Sequence, residues 1–263
     1  MTDVPDDTLA RILAQQDAYR AAPPSTLPRL LHSLARPVGA LTHRLIPTEA
    51  VEAALLGADW AASATIRNAA ISHDFADLAA CEAAATDVRR WAIGYAATGG
   101  GAAGAFGVFG LAADIPTTIT LALRTARLTG LCYGFGGAQT SERVFILDIL
   151  QLAGANSAAE KRAILDRMDR DRDDVSAETW TNIVKLTGQA AGTHAAMHRV
   201  AATLGVNLSA RKIGQLAPVI GAAVGAGVGA SFQNDVAEAA RHAYRARWLA
   251  VNEGLIEGAA LTP

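Results

Sequence analysis

The chain has 263 residues, of which 51% are hydrophobic and 5% aromatic, and its formal net charge is −2. This length can bury a substantial core in one or two domains, and the near-neutral charge excludes a general electrostatic attraction to nucleic acid. Alanine, leucine and glycine dominate, and alternating runs of β-branched residues are missing, so the composition predicts an all-α protein.

The N-terminal region, residues 1–47, is predicted to contain one helix from Asp6 to Tyr19 and then a basic amphipathic segment. The first residues are acidic and lack the apolar run of a secretion signal, so we expect a cytoplasmic protein. From Arg20 to Pro47 the sequence contains four arginines and no acidic residue. Such a segment can lie on an anionic membrane surface or pack against its own domain, and both alternatives remain open.

Residues 48–253 are predicted to form a single domain before a C-terminal tail at residues 254–263, with about eight to ten helices in all. The starts of these helices are marked by residues that commonly cap helix N-termini. Ser157 to Glu160 also match the capping box, in which a serine and a glutamate satisfy each other's backbone amides. The predicted starts are Thr48, Ser72, Asp114, Ser157, Ser176, and Asn234 or Asp235.

The stretch from Gly94 to Pro116 contains seven glycines, and its first charged residue is Asp114. It includes the G-x-G-x-x-G spacing of dinucleotide-binding loops, but a helix rather than a strand is predicted before it. The acidic residue that would bind a ribose about twenty positions later is also missing. We therefore expect no nucleotide cofactor, and no other cofactor is indicated.

Two uncharged stretches, from Trp91 to Ala113 and from Ile213 to Asn234, are long enough to cross a bilayer. Both consist mainly of glycine and alanine, which bring little apolar surface and so favour membrane insertion only weakly. We therefore expect tightly packed core helices and keep a membrane span as the alternative. The glycines expected to allow close packing of helix backbones are Gly100, Gly104, Gly221, Gly225 and Gly229.

The two glycine-rich stretches can be aligned with each other by one constant shift along the sequence. That shift places Gly100 on Gly221, Asp114 on Asp235 and Arg124 on Arg245. Each half then contains a glycine-rich helix, an acidic cap and an amphipathic helix. The pattern predicts two central helical hairpins that are related as a pseudo-repeat.

The acids and arginines in these hairpins have two interpretations. A buried Asp114 would need a partner, and Arg124 or Arg245 would supply one, so a cap with an internal ion pair is the favoured interpretation. The alternative is a site for a lipid headgroup or another anionic ligand. The residues that would form this structural or ligand-binding cluster are Asp114, Arg124, Arg127, Tyr133, Asp235 and Arg245.

Metal-binding and catalytic patterns are weak. His194 and His198 lie four residues apart, which can hold a metal, but Ala195 stands where zinc proteases carry glutamate, and we expect no strong metal site. Cys81 and Cys132 are predicted to be buried free thiols. No catalytic set of residues can be assigned from their spacing.

Three blocks of this sequence, in order, resemble the EcsC protein family. They are "LARPVGALTHRLIPTEAVEAAL", then "LAADIPTTITLALRTARLTGLCYGF" with "SERVFILDIL", then "KIGQLAPVIGAAVGAGVGASFQNDVAEAARHAYRARWL", so the resemblance runs from Leu34 to Leu249. The third block lacks the asparagine expected near residues 230–232. The family positions in the second block are Asp114, Pro116, Arg124, Tyr133, Gly134 and Glu142.

The family takes its name from a gene that lies beside the two components of an ABC transporter. The resemblance therefore implies an accessory role linked to a membrane, and it carries no established activity or catalytic residues. We expect a non-enzymatic, membrane-peripheral or lipid-interacting protein at the inner face of the cytoplasmic membrane, with anionic lipid or a transporter as its partner. The alternatives are an enzyme acting on a lipidic or small hydrophobic substrate and a soluble protein–protein interaction module.

Overall fold

A computed structural model describes residues 6–25, 48–66, 69, 71–105, 108–136, 140–173, 197–201 and 221–252. Within these ranges all regular secondary structure is helical and packs around one core, which confirms the predicted all-α domain. Residues 197–201 form a short helical segment. The longer helices are α1 (Asp6–Ala21), α2 (Thr48–Ile66), α3 (Leu78–Ala105), α4 (Val108–Cys132), α5 (Thr140–Ala153), α6 (Ala158–Asp173) and α7 (Gly221–Val251).

Two helices begin where their caps predict. Helix α2 starts at Thr48. Ahead of α6, the Ser157 hydroxyl accepts a hydrogen bond from the Glu160 amide at 3.1 Å, as in a capping box. The Glu160 carboxylate reaches back to the amide of Asn156 at 2.8 Å, one residue earlier than the motif predicts.

Helix α3 begins later than predicted. It starts at Leu78 rather than after Ser72, because Asp77 is the cap. The Asp77 carboxylate accepts hydrogen bonds from the amides of Ala79 and Ala80 at 2.9 and 3.1 Å, which are otherwise unpaired in the first helical turn.

The prediction that Asp114 and Asp235 open helices was wrong. Helix α4 already begins at Val108, and α7 begins at Gly221 and runs through Asp235 without interruption. In both cases the glycine-rich stretch before the acid is itself helical. Each glycine costs about 1 kcal/mol relative to alanine in a helix, so these segments depend on the packing that small residues allow.

Helices α3 and α4 form the first predicted hairpin, with its turn between Ala105 and Val108. Their antiparallel register brings Glu82 of α3 to Tyr133 after α4, and Trp91 to Arg124. The second half of the chain differs, because its glycine-rich and amphipathic parts make one helix, α7. The residues aligned with the α3–α4 turn lie inside α7, and the pseudo-repeat is not confirmed.

Helix α7 packs antiparallel along α3 and also contacts α1, α4 and α5. Near its start Gly229 lies beside Ala96, and near its end Arg245 reaches Glu82. Helix α7 therefore connects both ends of the bundle through one continuous backbone. Its buried core residues include Phe232, Val236, Ala239, Ala240, Tyr244 and Trp248.

Gly229 is a point of close backbone approach, as its four-residue spacing predicts. A Cβ atom at this position would lie 3.3 Å from the carbonyl oxygen of Ala96. The surroundings of Gly100, Gly104, Gly221 and Gly225 lie outside the described part of the structure, and their close contacts stay predictions. Within the described ranges, no helix has the length and hydrophobicity that crossing a bilayer requires.

We predict that Gly229→Leu lowers the free energy of unfolding by about 1–3 kcal/mol, because the side chain must separate α7 from the backbone of α3. Gly227 provides the matched control: it is on the same helix, and a Cβ atom there would meet nothing within 4 Å. Gly227→Leu should be neutral or stabilising by up to about 1 kcal/mol, since leucine favours helix. Equal urea midpoints for the two variants would show that the helices do not approach closely at Gly229.

Candidate functional site

The end of α4, together with α3 and α7, surrounds a carboxylate that accepts three strong hydrogen bonds. The Tyr133 hydroxyl donates to Glu82 Oε1 at 2.5 Å, and Arg245 donates to the two carboxylate oxygens from Nε at 2.6 Å and Nη2 at 2.5 Å. This bidentate geometry is the strongest arrangement that an arginine–carboxylate pair can adopt. We call Glu82, Tyr133 and Arg245 the Glu82 cluster.

The sequence Tyr133-Gly134 positions the tyrosine of this cluster. Gly134 has a positive φ of 80°, which glycine adopts without strain. Its amide donates to the carbonyl of Leu131 at 3.0 Å, and the Phe135 amide donates to the carbonyl of Gly130 at 2.8 Å. These two bonds form a Schellman motif, which ends α4 and leaves Tyr133 buried beside α3.

A second glutamate has the same kinds of partner. Glu142 of α5 accepts a hydrogen bond from the Tyr244 hydroxyl at 2.6 Å and one from Arg247 Nη1 at 2.8 Å. The Tyr244 ring lies so close to Gly130 that a Cβ atom there would be 2.6 Å from it. We call Glu142, Tyr244 and Arg247 the Glu142 cluster.

The Tyr-Arg-x-Arg sequence at the end of α7 divides its donors between the two glutamates. Successive residues of an α-helix point about 100° apart, so Tyr244 and Arg247 share one face and Arg245 points away from it. The first two bind Glu142 and the third binds Glu82. Helix α7 thereby connects α3 to α5 through buried charge.

Burial, and then the neighbouring glutamate, raise the pKa of Tyr133 and of Tyr244 well above the usual value for tyrosine. Both hydroxyls therefore stay protonated and donate at physiological pH. Every carboxylate oxygen of Glu82 and Glu142 already accepts a hydrogen bond. The hydrogen bonds of both clusters join different helices and so hold the bundle together.

Helix α1 is attached beside the Glu82 cluster. Gln16 donates to the carbonyl of His242 at 3.1 Å, and the His242 ring stacks on Tyr19 with centroids 4.4 Å apart. Lys161 of α6 donates to the carbonyls of Tyr19 and Ala22 at the end of α1. Burial, together with the charges of Arg20, Arg245 and Lys161, lowers the pKa of His242 to about 3, so this ring is neutral at physiological pH.

An exposed aromatic pair lies on α3, away from these clusters. The rings of Trp91 and Tyr95 stack with centroids 5.4 Å apart, and these residues are 44% and 51% exposed. The guanidinium of Arg124 lies 4.8 Å from the centre of the Trp91 ring, a cation–π contact. Its Nε atom is buried and has no hydrogen-bond partner in the described structure. We call Trp91, Tyr95 and Arg124 the Trp91 patch.

Of the polar residues predicted to form one site, the structure brings together Tyr133 and Arg245, which meet at Glu82, and no other pair whose side chains it describes. Arg127 instead forms an ion pair with Asp59, and Asp235 accepts a hydrogen bond from the Ser25 hydroxyl at 2.9 Å. Arg124 contacts Trp91.

Of the two ion pairs predicted for Asp114, the one with Arg124 is wrong for a geometric reason, and the one with Arg245 stays a prediction. Asp114 and Arg124 lie on the same helix, α4, ten residues apart, which separates them by about 15 Å along its axis. Their side chains are too short to close that distance. Arg245 has Glu82 as its carboxylate partner. The side chain of Asp114 lies outside the described part of the structure.

Sequence reasoning missed Glu82, although one signal was available. Glu82 lies one helical turn after Leu78 and directly follows Cys81, and both of these are fully buried. An acid on the apolar face of a helix must be paired, so this position calls for a buried donor.

The predicted thiols are buried and free, as expected. Burial raises the pKa of Cys81 to about 12 and that of Cys132 to about 11, so neither is a reactive thiolate. Among the described residues, no group of three potential ligands could hold a metal ion. His198 is exposed, and His194 lies outside the described residues.

Comparison with known proteins yields one family. The model described as "EcsC protein family" matches residues 21–249. The chain is 34% identical over 151 residues to the uncharacterized protein YdbA of Bacillus subtilis (strain 168), and this overlap covers 56% of the chain and 50% of YdbA. The chain thus spans about half the length of this relative. No solved structure matches this chain.

We predict strong coupling within the Glu82 cluster. Arg245→Met should lower the free energy of unfolding by about 1.5–3 kcal/mol, because the carboxylate loses two charged hydrogen bonds and keeps Arg241 Nη1 only at 3.9 Å, and Glu82→Gln should cost a similar amount. The double variant leaves neither charge unpaired, so its loss should fall well below the sum of the single losses, measured by urea denaturation.

The exposed pair formed by Asp87 and Arg90 serves as the control for this cycle. Its side chains are 75% and 76% exposed, so Asp87→Asn and Arg90→Met should couple by less than about 1 kcal/mol. Additive losses for Glu82 and Arg245 would contradict the structural role of the cluster.

Proposed function

The chain belongs to the EcsC protein family, and we propose that it is a non-enzymatic accessory protein that binds a membrane surface through one end of its helical bundle. The observation that supports this proposal most directly is the exposed, stacked pair of Trp91 and Tyr95. The pair begins residues 91–105 of α3, which contain no charged residue.

We define the uncharged end as residues 91–105 of α3, 108–113 of α4 and 221–233 of α7. None of these segments contains Asp, Glu, Lys or Arg. The α3–α4 turn places the first two together, and the contact between Gly229 and Ala96 places α7 beside them. A surface without charges can approach lipid without the large cost of dehydrating ionised groups.

The chemistry of Trp91 and Tyr95 fits the boundary between lipid and water. Their rings combine an apolar body with a polar N–H or O–H group, and both residue types are enriched at membrane interfaces. Full burial of one large apolar side chain contributes about 1.5–3 kcal/mol. Two half-exposed rings therefore support shallow and reversible binding, as in a peripheral protein.

The structural use of Glu82 and Glu142 supports a non-enzymatic role, because each carboxylate oxygen accepts a hydrogen bond from another helix or from the residue that follows α4. The link to an ABC transporter follows from the family resemblance alone and belongs to this proposal. A membrane-bound position would bring the protein into the same bilayer plane as such a transporter.

We predict that replacing both Trp91 and Tyr95 with serine weakens binding to vesicles of phosphatidylcholine and phosphatidylglycerol by about tenfold or more, the equivalent of about 1.4 kcal/mol. Co-sedimentation over a range of lipid concentrations measures this loss. Leu13→Ser is the matched control, because Leu13 is 44% exposed on α1, close to the Glu82 cluster and away from the uncharged end.

In cells, a carbonate wash should release the protein from the membrane fraction. Its absence from that fraction, together with no binding to vesicles, would contradict the proposal and favour a soluble interaction module. Equal losses for the aromatic variant and for Leu13→Ser would show that the Trp91 patch is not the contact surface.

A further inference from the structure

We propose that Arg124 binds the phosphate of an anionic phospholipid when the uncharged end lies on a membrane. This inference rests on the proposed function and adds a specific headgroup site to it. The site consists of the Trp91 patch, in which Arg124 supplies the hydrogen-bond donors and the two aromatic rings lie beside it.

Among the residues that the structure describes, Arg124 has no counterion, which is the first argument. In the described ranges, every other arginine that is buried or partly buried has a guanidinium nitrogen within 4.0 Å of a carboxylate oxygen. Arg127, one turn along α4, is bound by Asp59, whereas no carboxylate of the described residues forms an ion pair with Arg124. A partly buried cation without an anion is unfavourable, so an anion bound beside Arg124 would stabilise this position.

The geometry of the cation–π contact is the second argument. The Trp91 ring covers one face of the guanidinium at 4.8 Å. The N–H groups of a guanidinium point outward in its own plane, so an arginine stacked on a ring keeps its donors available for two parallel bonds to phosphate. The carboxylate of Asp87, one turn before Trp91 on α3, is paired with Arg90 at 3.3 Å and is not the partner of Arg124.

The surroundings select a lipid phosphate rather than a phosphate free in solution. Trp91 and Tyr95 are half exposed and begin the uncharged end of α3. Tryptophan and tyrosine rings sit at the depth of the lipid headgroups, which is also the depth of the phosphates. A soluble phosphate would use Arg124 but would have no need of exposed aromatic rings.

The test compares Arg124→Gln, Arg124→Lys and Arg90→Gln on vesicles of phosphatidylcholine alone and of phosphatidylcholine with phosphatidylglycerol. The preference of the protein for the anionic vesicles is the measured quantity. We expect Arg124→Gln to reduce this preference by about tenfold or more, and Arg90→Gln to reduce it by about fivefold or less, as for a cation near an anionic surface. Lysine should not restore the loss, because it lacks the planar bidentate donors.

Several results would overturn the headgroup site. Full restoration by Arg124→Lys, or equal losses for Arg124→Gln and Arg90→Gln, would reduce the effect to general charge. Inorganic phosphate is titrated by calorimetry in parallel, and saturable binding that Arg124→Gln abolishes, without any change on vesicles, would assign the site to a soluble phosphate. A urea melt of each variant confirms that the fold is retained.

The same data separate this inference from the proposed function. If the wild-type protein binds vesicles through Trp91 and Tyr95 but the Arg124 variants bind equally well, the headgroup site is wrong and the membrane role stands. If the wild-type protein binds neither type of vesicle, both proposals fail.

Discussion

The arrangement of this helical bundle depends on two glutamates, Glu142 buried and Glu82 partly buried, that are both bound by one helix. Glu82 and Glu142 lie on α3 and α5, and both are bound by the Tyr-Arg-x-Arg sequence of α7. A carboxylate with little access to water is tolerated only when hydrogen bonds and a cation replace its hydration. Since each donor comes from another helix, the charges fix how α3, α4, α5 and α7 pack at this end.

At the opposite end of α3 and α7, close packing of small residues takes the place of ion pairs. Residues 91–105, 108–113 and 221–233 contain no charged residue there, and small residues let backbones approach, as Gly229 does against Ala96. Helices α3 and α7 extend through both regions as continuous elements, 28 and 31 residues long. In the function that we propose, the uncharged end is the part that rests on a membrane.

Local signals in the sequence predicted the helices well and their partners poorly. A capping residue such as Ser157 bonds to amides within one helical turn of itself. The helix starts at Thr48 and Ser157 could therefore be predicted from the local sequence. Asp114 and Asp235 carry the same kind of local signal, but the glycine-rich segments before them are held in helices by neighbours distant in sequence. No local pattern contains that information.

The site shows the same limit. The Tyr-Gly step and the Tyr-Arg-x-Arg step stood out in the sequence, yet their acceptors did not, because Glu82 lies 163 positions away from Arg245. The buried face of α3 did indicate a paired acid, since Glu82 directly follows the buried Cys81. Which residue donates hydrogen bonds to Glu82 depends on the antiparallel register of α3 and α7. Only the structure establishes that register.

The most direct test of this account measures which end of the bundle meets lipid. Spin labels at Thr98→Cys on the uncharged end and at Leu13→Cys on α1 both occupy exposed positions, and the native cysteines are buried and should not react. Power-saturation EPR with oxygen and a water-soluble nickel chelate then reports the surroundings of each label. When vesicles containing phosphatidylglycerol are added, we expect the label at residue 98 to become more accessible to oxygen and less accessible to nickel, while the label at residue 13 stays unchanged. Equal changes at both positions, or a change at residue 13 alone, would contradict the account.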